Sequence, residues 1–202
     1  TPNAASVSLQ NVQTGEEFIR SIRPEAEVVI DGMRYSIGGL LGQPVHNYIL
    51  PQWMDSLRRD PHSFEFVDYV IGPTQERFAW LKRSAWMPQD AAWPPPGKRL
   101  ELIFRACTEI GQQQPNLHNV IVKVYYEIYD GIPLLAKWIS IENKSQQSIL
   151  IDHFKSEILA LVEPESVVGT PPNWMQPNIT VTTDYTFGGG MASTSAAGKS
   201  VF

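Results

Sequence analysis

The tryptophans between positions 72 and 98 are the residues whose type and spacing most clearly suggest a chemistry. Trp80, Trp86 and Trp93 lie in one proline-rich segment, and Arg77 comes just before them. An indole ring can stack on the apolar C–H face of a sugar, while a guanidinium can hydrogen-bond to the hydroxyls at the edge of that sugar. These four residues are our candidate carbohydrate-binding set. The alternative is that the rings anchor a proline-rich loop by filling gaps in a core.

The remaining tryptophans give weaker signals. Trp138 lies in a strictly alternating stretch, which predicts a structural role. Trp174 lies between prolines and is interpreted by default as a loop anchor, although its role and that of Trp53 stay open.

Paired carboxylates would indicate glycoside hydrolysis, which requires two of them about 5–10 Å apart. The candidates are Glu127, Asp130, Glu142, Asp152 and Glu157. Asp130 has the simpler explanation of a turn residue. The three glutamates alternate with apolar neighbours, which predicts that they face solvent on strands. We therefore assign no catalytic residue to this chain.

Histidine and cysteine add little chemistry. His46, His62, His118 and His153 lie in separate segments without a second ligand at metal-binding spacing. We predict neither a metal site nor a cofactor. Cys107 is the single cysteine, and the apolar run around it predicts a buried thiol. The chain contains no phosphate-binding loop and no nucleophile elbow.

Length and charge limit the classes of function. The chain has 202 residues, 18% of them charged, and a net charge of −5. This charge argues against a nucleic-acid-binding surface built on Lys and Arg, and no apolar run reaches the roughly 18–20 residues of a membrane span. An α/β barrel needs about 250 residues and does not fit. We predict one domain over 1–187, followed by a Gly/Ser-rich, linker-like tail over 188–202.

The secondary-structure elements that must position these residues are mostly strands, because apolar and polar residues alternate along them with a period of two. Asp31-Gly32 and Asp130-Gly131 are turn signals between alternating stretches. A short helix is predicted over 51–60. The predicted strands cover 27–30, 33–37, 64–71, 100–108, 119–129, 134–142, 149–162 and 178–184. Strands joined by short turns predict an all-β, antiparallel β-sandwich with one or two short helices.

The stretch from Tyr126 to Asn143 carries a more specific signal. Its sequence YEIYDGIPLLAKWISIEN resembles the central hairpin in the N-terminal domain of melibiase-type α-galactosidases, the family-36 glycoside hydrolases. The turn, the tryptophan and the closing asparagine all coincide with that pattern. The segments 31–40 and 184–189 resemble parts of some bacterial members.

The resemblance implies a β-sandwich of the galactose-mutarotase-like supersandwich type. It also implies a (β/α)8 barrel as a covalent or docked partner that carries the catalytic aspartates, since no position here matches the barrel motifs. The function it implies is a non-catalytic N-terminal accessory domain that contributes to galactoside binding or to homo-oligomerisation. The first residue is not methionine, which favours a periplasmic or secreted protein over a cytoplasmic one.

Two other functions stay open at this point. A small aldose mutarotase-like enzyme would need an acid and a base beside the sugar ring, and His153 and Glu157 would be its only candidates. A stand-alone structural or interaction β-sandwich would bind no glycan.

Overall fold

A computed structural model describes residues 3–43, 49–77, 85, 90 and 92–161 of the chain. Of these residues, 49% lie in strands and 12% in helices, which confirms the predicted all-β class with short helices. None of their helices is long and apolar enough to cross a membrane. Thr1–Leu161 make up one compact unit. The predicted domain end at 187, the predicted strand over 178–184 and the tail over 188–202 lie outside the described residues.

This part of the chain contains eleven strands, one α-helix and two 3-10 helices. The strands are β1 (Ile19–Ser21), β2 (Ala26–Ile30), β3 (Met33–Ile37), β4 (Leu40–Leu41), β5 (Arg58–Arg59), β6 (Ser63–Pro73), β7 (Gly97–Ala106), β8 (Val120–Tyr129), β9 (Ile132–Asn143), β10 (Ile151–Lys155) and β11 (Ala160–Leu161). The helices are α1 (Thr108–Gln113) and the 3-10 helices Pro51–Ser56 and Pro115–Asn119.

Seven strands form one sheet in the order β10-β2-β3-β6-β7-β8-β9. Asp31 and Gly32 adopt positive φ angles of 51° and 77° in the predicted turn between β2 and β3. Gly131 does the same, with a φ of 73°, in the turn between β8 and β9. All neighbouring strands in the sheet are antiparallel except β3 and β6, which run parallel. The sheet is therefore mixed, because the long connection between those two strands allows a crossover.

Two predicted elements differ from the structure. The helix predicted over 51–60 is the shorter 3-10 helix Pro51–Ser56. The strand predicted over 149–162 divides into β10 and β11, which belong to different sheets. β10 ends where Lys155 pairs with Glu27, at the first residues of its partner β2. Beyond that point the chain has no partner strand to extend, and it crosses to pair with β1.

The seven-stranded sheet curls into a half-barrel, which is consistent with the predicted all-β sandwich. Its concave face carries the main core, to which α1 and the following 3-10 helix contribute Ile110 and Leu117. Cys107 is buried just before α1, and its thiol donates a hydrogen bond to the Pro61 carbonyl at 2.9 Å. The buried thiol predicted from the sequence is thus confirmed. The supersandwich subtype rests on the resemblance and stays a prediction.

The concave face changes character along the strands. The predicted apolar face of β8 contains Val122 and Val124, which are fully buried in the core. Tyr126 follows on the same face and is only partly buried, and Ile128 is 55% exposed. Lys137 on β9 pairs with Tyr126 in this register. The core therefore fills one half of the half-barrel, and the other half is open and begins at a polar row.

A polar cluster at this row joins the two edges of the curled sheet. We call it the closing cluster: Ser6, Glu25, Tyr126, Lys137 and Glu157. Lys137 Nζ donates to the carbonyl oxygen of Glu25 at 2.7 Å and to Glu157 Oε1 at 2.9 Å, and it lies 3.4 Å from Glu25 Oε2. Since Lys137 belongs to the edge strand β9 while Glu25 precedes β2 and Glu157 follows β10, these contacts connect opposite sides of the half-barrel.

The carboxylate of Glu25 is almost fully buried at the centre of the closing cluster. Its Oε1 accepts a hydrogen bond from Ser6 at 3.0 Å, and its Oε2 accepts one from the Tyr126 hydroxyl. Burial first, and then the neighbouring Glu25 carboxylate, raise the pKa of Tyr126 well above its usual value. The phenol therefore stays protonated and keeps donating its hydrogen bond at neutral pH.

The Tyr126→Phe variant tests this role of the phenol. Removal of the hydroxyl leaves a buried carboxylate oxygen short of a donor, so we expect the free energy of unfolding at pH 7 to fall by about 1–3 kcal/mol. The pKa of Tyr126 is higher in the folded protein than in the unfolded chain, where it is about 10. The contribution of Tyr126 to the free energy of unfolding is therefore fully present below pH about 10. It decreases at higher pH, because unfolding then releases the phenolic proton. The difference between wild type and variant should therefore shrink as the pH rises beyond about 10.

Urea unfolding followed by circular dichroism at several pH values measures this difference. Tyr69→Phe is the control, because Tyr69 is 57% exposed and its loss should change stability little. Equal slopes for wild type and Tyr126→Phe across the alkaline range would contradict the assigned protonation.

Candidate functional site

The candidate site lies where the connection between β6 and β7 meets the hairpin of β8 and β9. Two hydrogen bonds hold the proline-rich part of that connection in place. Thr74 Oγ1 donates to the Pro95 carbonyl at 2.6 Å, and the Asp130 amide in the hairpin turn donates to the Pro96 carbonyl at 2.9 Å. The segment is therefore attached both to the end of β6 and to the turn, and the Trp93–Pro94 peptide bond within it is cis.

Glu127 is buried, and the prediction that it faces solvent is wrong. Its side chain is on the outer, convex face of β8, but it is only 2% exposed. The Gln75 amide donates to Glu127 Oε1 at 3.1 Å, and the Tyr129 hydroxyl donates to Oε2 at 2.9 Å. The cause of burial is the segment after β6, which crosses this end of the sheet and brings a backbone N–H to the carboxylate. The alternation of apolar and polar residues along a strand does not predict that another segment of the chain covers its outer face.

Tyr129 completes this pair as a hydrogen-bond donor. Burial first, and then its hydrogen bond to the Glu127 carboxylate, raise the pKa of Tyr129, while the charge of Arg77 acts in the opposite direction. The hydroxyl is therefore protonated at neutral pH, and Glu127 is held as a fixed acceptor.

A stack of two aromatic rings between two guanidinium groups supports the site on the outer face. The ring of Tyr125 stacks on that of Trp138, with centroids 4.9 Å apart and planes inclined by 6°. The guanidinium of Arg77 lies 4.4 Å from the Trp138 ring centroid, and that of Arg99 lies 5.7 Å from the Tyr125 ring centroid. Arg99 also donates to Gln75 Oε1 at 2.7 Å. Trp138 therefore has the structural role that the sequence predicted, and its stack fixes the position of Arg77.

These elements enclose a pocket of about 310 Å³, which we call the outer pocket. Its lining combines apolar side chains from the proline-rich segment and β9 with the polar groups just described. The lining residues are Gln75, Glu76, Arg77, Trp93, Pro94, Pro95, Glu127, Tyr129, Ile132, Leu134 and Ala136. The structure thus brings two of the four predicted sugar-binding residues, Arg77 and Trp93, to one pocket. Trp80 and Trp86 lie outside the described residues.

Three of the other four candidate carboxylates have structural partners. Asp152 accepts a hydrogen bond from the Gly32 amide at 2.8 Å. Glu142 is partly exposed and 3.0 Å from Lys123, which is also 3.0 Å from Glu101. Glu157 binds Lys137. Asp130, the fourth, lies in the β8–β9 turn, as predicted.

Among the described residues, no histidine lines the outer pocket. His62, His118 and His153 are exposed, and His153 lies on β10, where it pairs with Val29. Within the described ranges, no group of three or more His, Cys, Asp or Glu side chains could hold a metal ion. His46 lies outside the described residues.

Comparisons with protein-family models, with curated proteins and with solved structures found no match to this chain. The function is therefore inferred from the residues and from the geometry of the site.

Sequence reasoning did not predict the burial of Glu25 and Glu127, which are 3% and 2% exposed. Glu127 had a signal, because Tyr129 follows two positions later on the same face and can donate to it. Glu25 had none, since its partners Tyr126 and Lys137 are more than 100 positions away in sequence.

A matched pair of glycine substitutions tests the close approach that forms this site. A Cβ on Gly97 would lie 2.0 Å from the Ile128 carbonyl oxygen and 2.9 Å from Tyr129 Cα, both of them backbone atoms. We expect Gly97→Ala to destabilise the protein by about 1–3 kcal/mol, because the proline-rich segment must move away from the hairpin. A Cβ on Gly72 meets nothing within 4 Å, so Gly72→Ala should not destabilise the protein.

Thermal or urea unfolding of the two variants measures the difference. Equal stability of Gly97→Ala and Gly72→Ala would show that the proline-rich segment does not approach the hairpin as described.

Proposed function

We propose that this chain is a carbohydrate-binding, non-catalytic accessory domain that works beside an α-galactosidase-like catalytic barrel, and that the outer pocket is its sugar site. The observation that carries the proposal is the presence of Trp93 and Arg77 on one pocket together with the buried Glu127–Tyr129 pair. The resemblance of the β8–β9 hairpin to family-36 glycoside hydrolases supports the same class of ligand.

The chemistry of the pocket suits a neutral sugar. Trp93 is 40% exposed, and with Pro94 and Leu134 it provides apolar surface for C–H groups. Arg77 offers N–H donors, and Glu127 offers a fixed acceptor. A sugar hydroxyl can therefore accept a hydrogen bond from Arg77 or donate one to Glu127. A volume of about 310 Å³ is at the lower end of the roughly 300–1,000 Å³ that is typical of small-molecule sites. This size favours a single terminal sugar unit.

The hydrogen bonds of Glu127 favour binding over hydrolysis. A glycosidase needs one carboxylic acid that donates a proton and one carboxylate that attacks or activates water. Both oxygens of Glu127 already accept hydrogen bonds from protein groups, which suits the side chain to a constant acceptor role. Catalysis is thus assigned in this proposal to the barrel that the resemblance implies.

The partner in this proposal is recognised through apolar surface at the same end of the sheet. Ile128, Ile132, Leu134 and Leu135 belong to the β8–β9 hairpin and are each about half exposed. Ile132 and Leu134 lie on the outer face, whereas Ile128 and Leu135 lie on the concave face, so the end of the hairpin is apolar on both faces. Exposed apolar side chains are typical of interaction surfaces. Docking of the barrel at the end of the hairpin would place the outer pocket beside the catalytic domain, and self-association would use the same end.

Calorimetric titration with galactose and with melibiose tests the sugar site. We expect binding at millimolar sugar, and we expect Trp93→Ala to weaken it by about tenfold or more, because the variant loses the stacking surface. Trp53→Ala is the matched control, since Trp53 is also partly exposed but does not line the pocket. Both variants should retain the circular dichroism spectrum of the wild type.

Two results would contradict the proposal. One is the absence of binding to both galactosides at millimolar concentration. The other is equal binding by wild type and Trp93→Ala.

A further inference from the structure

The open half of the concave face contains a second pocket, on the side of the sheet opposite to the outer pocket. We call it the inner groove; its volume is about 490 Å³. Its apolar walls come from the sheet, through Leu100, Leu102 and Leu135, and from Leu9, Ile19 and Leu159 on the other side. The closing cluster contributes Ser6, Glu25, Tyr126 and Glu157 to the lining. The groove therefore has a long apolar wall and a polar end.

The two charged side chains that line the inner groove itself are both acidic. Glu25 and Glu157 are the charged side chains among the described residues that line the inner groove, and Lys137 binds both of them without lining the groove itself. Glu157 is 41% exposed, and only its Oε1 accepts the hydrogen bond from Lys137. A ligand that enters the groove therefore meets carboxylate oxygens, which favours a cationic donor over an anionic group.

A small cavity of about 10 Å³ lies at this end and shares Ser6, Ile19, Glu25, Glu157 and Leu159 with the inner groove. Its volume is about that of one water-sized group. Ser21 also lines it, and in the part of the chain that the structure describes, Ser21 Oγ is buried without a hydrogen-bond partner. Such a buried hydroxyl costs free energy unless a ligand or solvent group hydrogen-bonds to it. Arg23 is the exposed positive group at the rim of this cavity.

We propose that the inner groove binds a small amphiphile with a primary ammonium head and a hydrocarbon body. The ammonium lies at the closing cluster, where its N–H groups donate to Glu157 and to the Ser21 hydroxyl. The hydrocarbon body packs along Leu100, Leu102 and Leu135. This site is separate from the outer pocket and does not depend on the sugar-binding proposal, because the two pockets share no lining residue.

Three probes with the same chain length separate head-group recognition from apolar binding. Octylammonium, octanol and octanoate are titrated into the full 202-residue chain by calorimetry at low ionic strength. We expect octylammonium to bind most tightly, octanol to bind more weakly, and octanoate to bind at least about tenfold more weakly than octylammonium because of repulsion by the carboxylates. Equal or tighter binding of octanoate would overturn the proposal, and tighter binding would indicate that Arg23 sets the preference.

Variants then locate the binding. Glu157→Gln should bring octylammonium binding down to the level of octanol, which itself stays unchanged. Glu142→Gln is the matched control, because Glu142 is similarly exposed and also paired with a lysine, but it lies on the outer face. Leu135→Ser should weaken all three probes, and Trp93→Ala should weaken none. Unchanged octylammonium binding in both Glu157→Gln and Leu135→Ser would overturn the assignment of the site to the inner groove.

Discussion

The contacts of Lys137 with Glu25 and Glu157 are the constraint on which the rest of this structure depends. Among the described residues, the edge strands of the seven-stranded sheet are β9 and β10. Lys137 on β9 binds one acidic residue that precedes β2 and one that follows β10, and these contacts hold the sheet in its curled form. The Lys137 ammonium and the Glu25 carboxylate are both largely buried, so removal of either one would leave the other as an uncompensated buried charge and destabilise the fold. Because Glu25 also accepts hydrogen bonds from Ser6 and Tyr126, the cluster fixes where the filled core ends and the open groove begins.

The β8–β9 hairpin serves both faces of the sheet through neighbouring residues. Tyr126 and Lys137 point to the concave face and belong to the closing cluster, whereas Glu127 and Trp138 point outward and support the outer pocket. This is a direct consequence of the period of two in a strand, since adjacent residues alternate between faces. Tyr126 and Lys137 thus have a role in the closing cluster, and Glu127 lines the outer pocket.

The predictable part of this structure is local. The Asp-Gly turns, the apolar face of β8 and the structural role of Trp138 follow from spacing alone. The register of the β8–β9 hairpin does not: Tyr129 pairs with Ile132, but Ile128 pairs with Leu135, so two residues are left over on β9. Pro133 is one of them, and it has no N–H to offer to the ladder. A shift of two keeps every side chain on its predicted face, which is why the faces were predictable and the cross-strand partners were not.

The unpredictable part depends on long-range contacts. Glu127 is buried by a segment that returns from β6, and Glu25 is held by residues more than 100 positions away. The same holds for the division of the stretch 149–162, which follows from where its partner β2 begins. In each case the outcome depends on contact with a backbone or side chain that is distant in sequence, and no local sequence pattern predicts that contact.

The most direct test of this account compares the free energies of unfolding of Lys137→Met and Lys123→Met. Each lysine bridges two glutamates, but Lys137 does so at the closing cluster and Lys123 on the partly exposed outer face. If Lys137 holds the half-barrel closed, its loss leaves the buried Glu25 uncompensated and should lower stability by about 3–5 kcal/mol. Loss of Lys123 should lower it by no more than about 1 kcal/mol. Equal and small losses for the two variants would contradict the central role of Lys137.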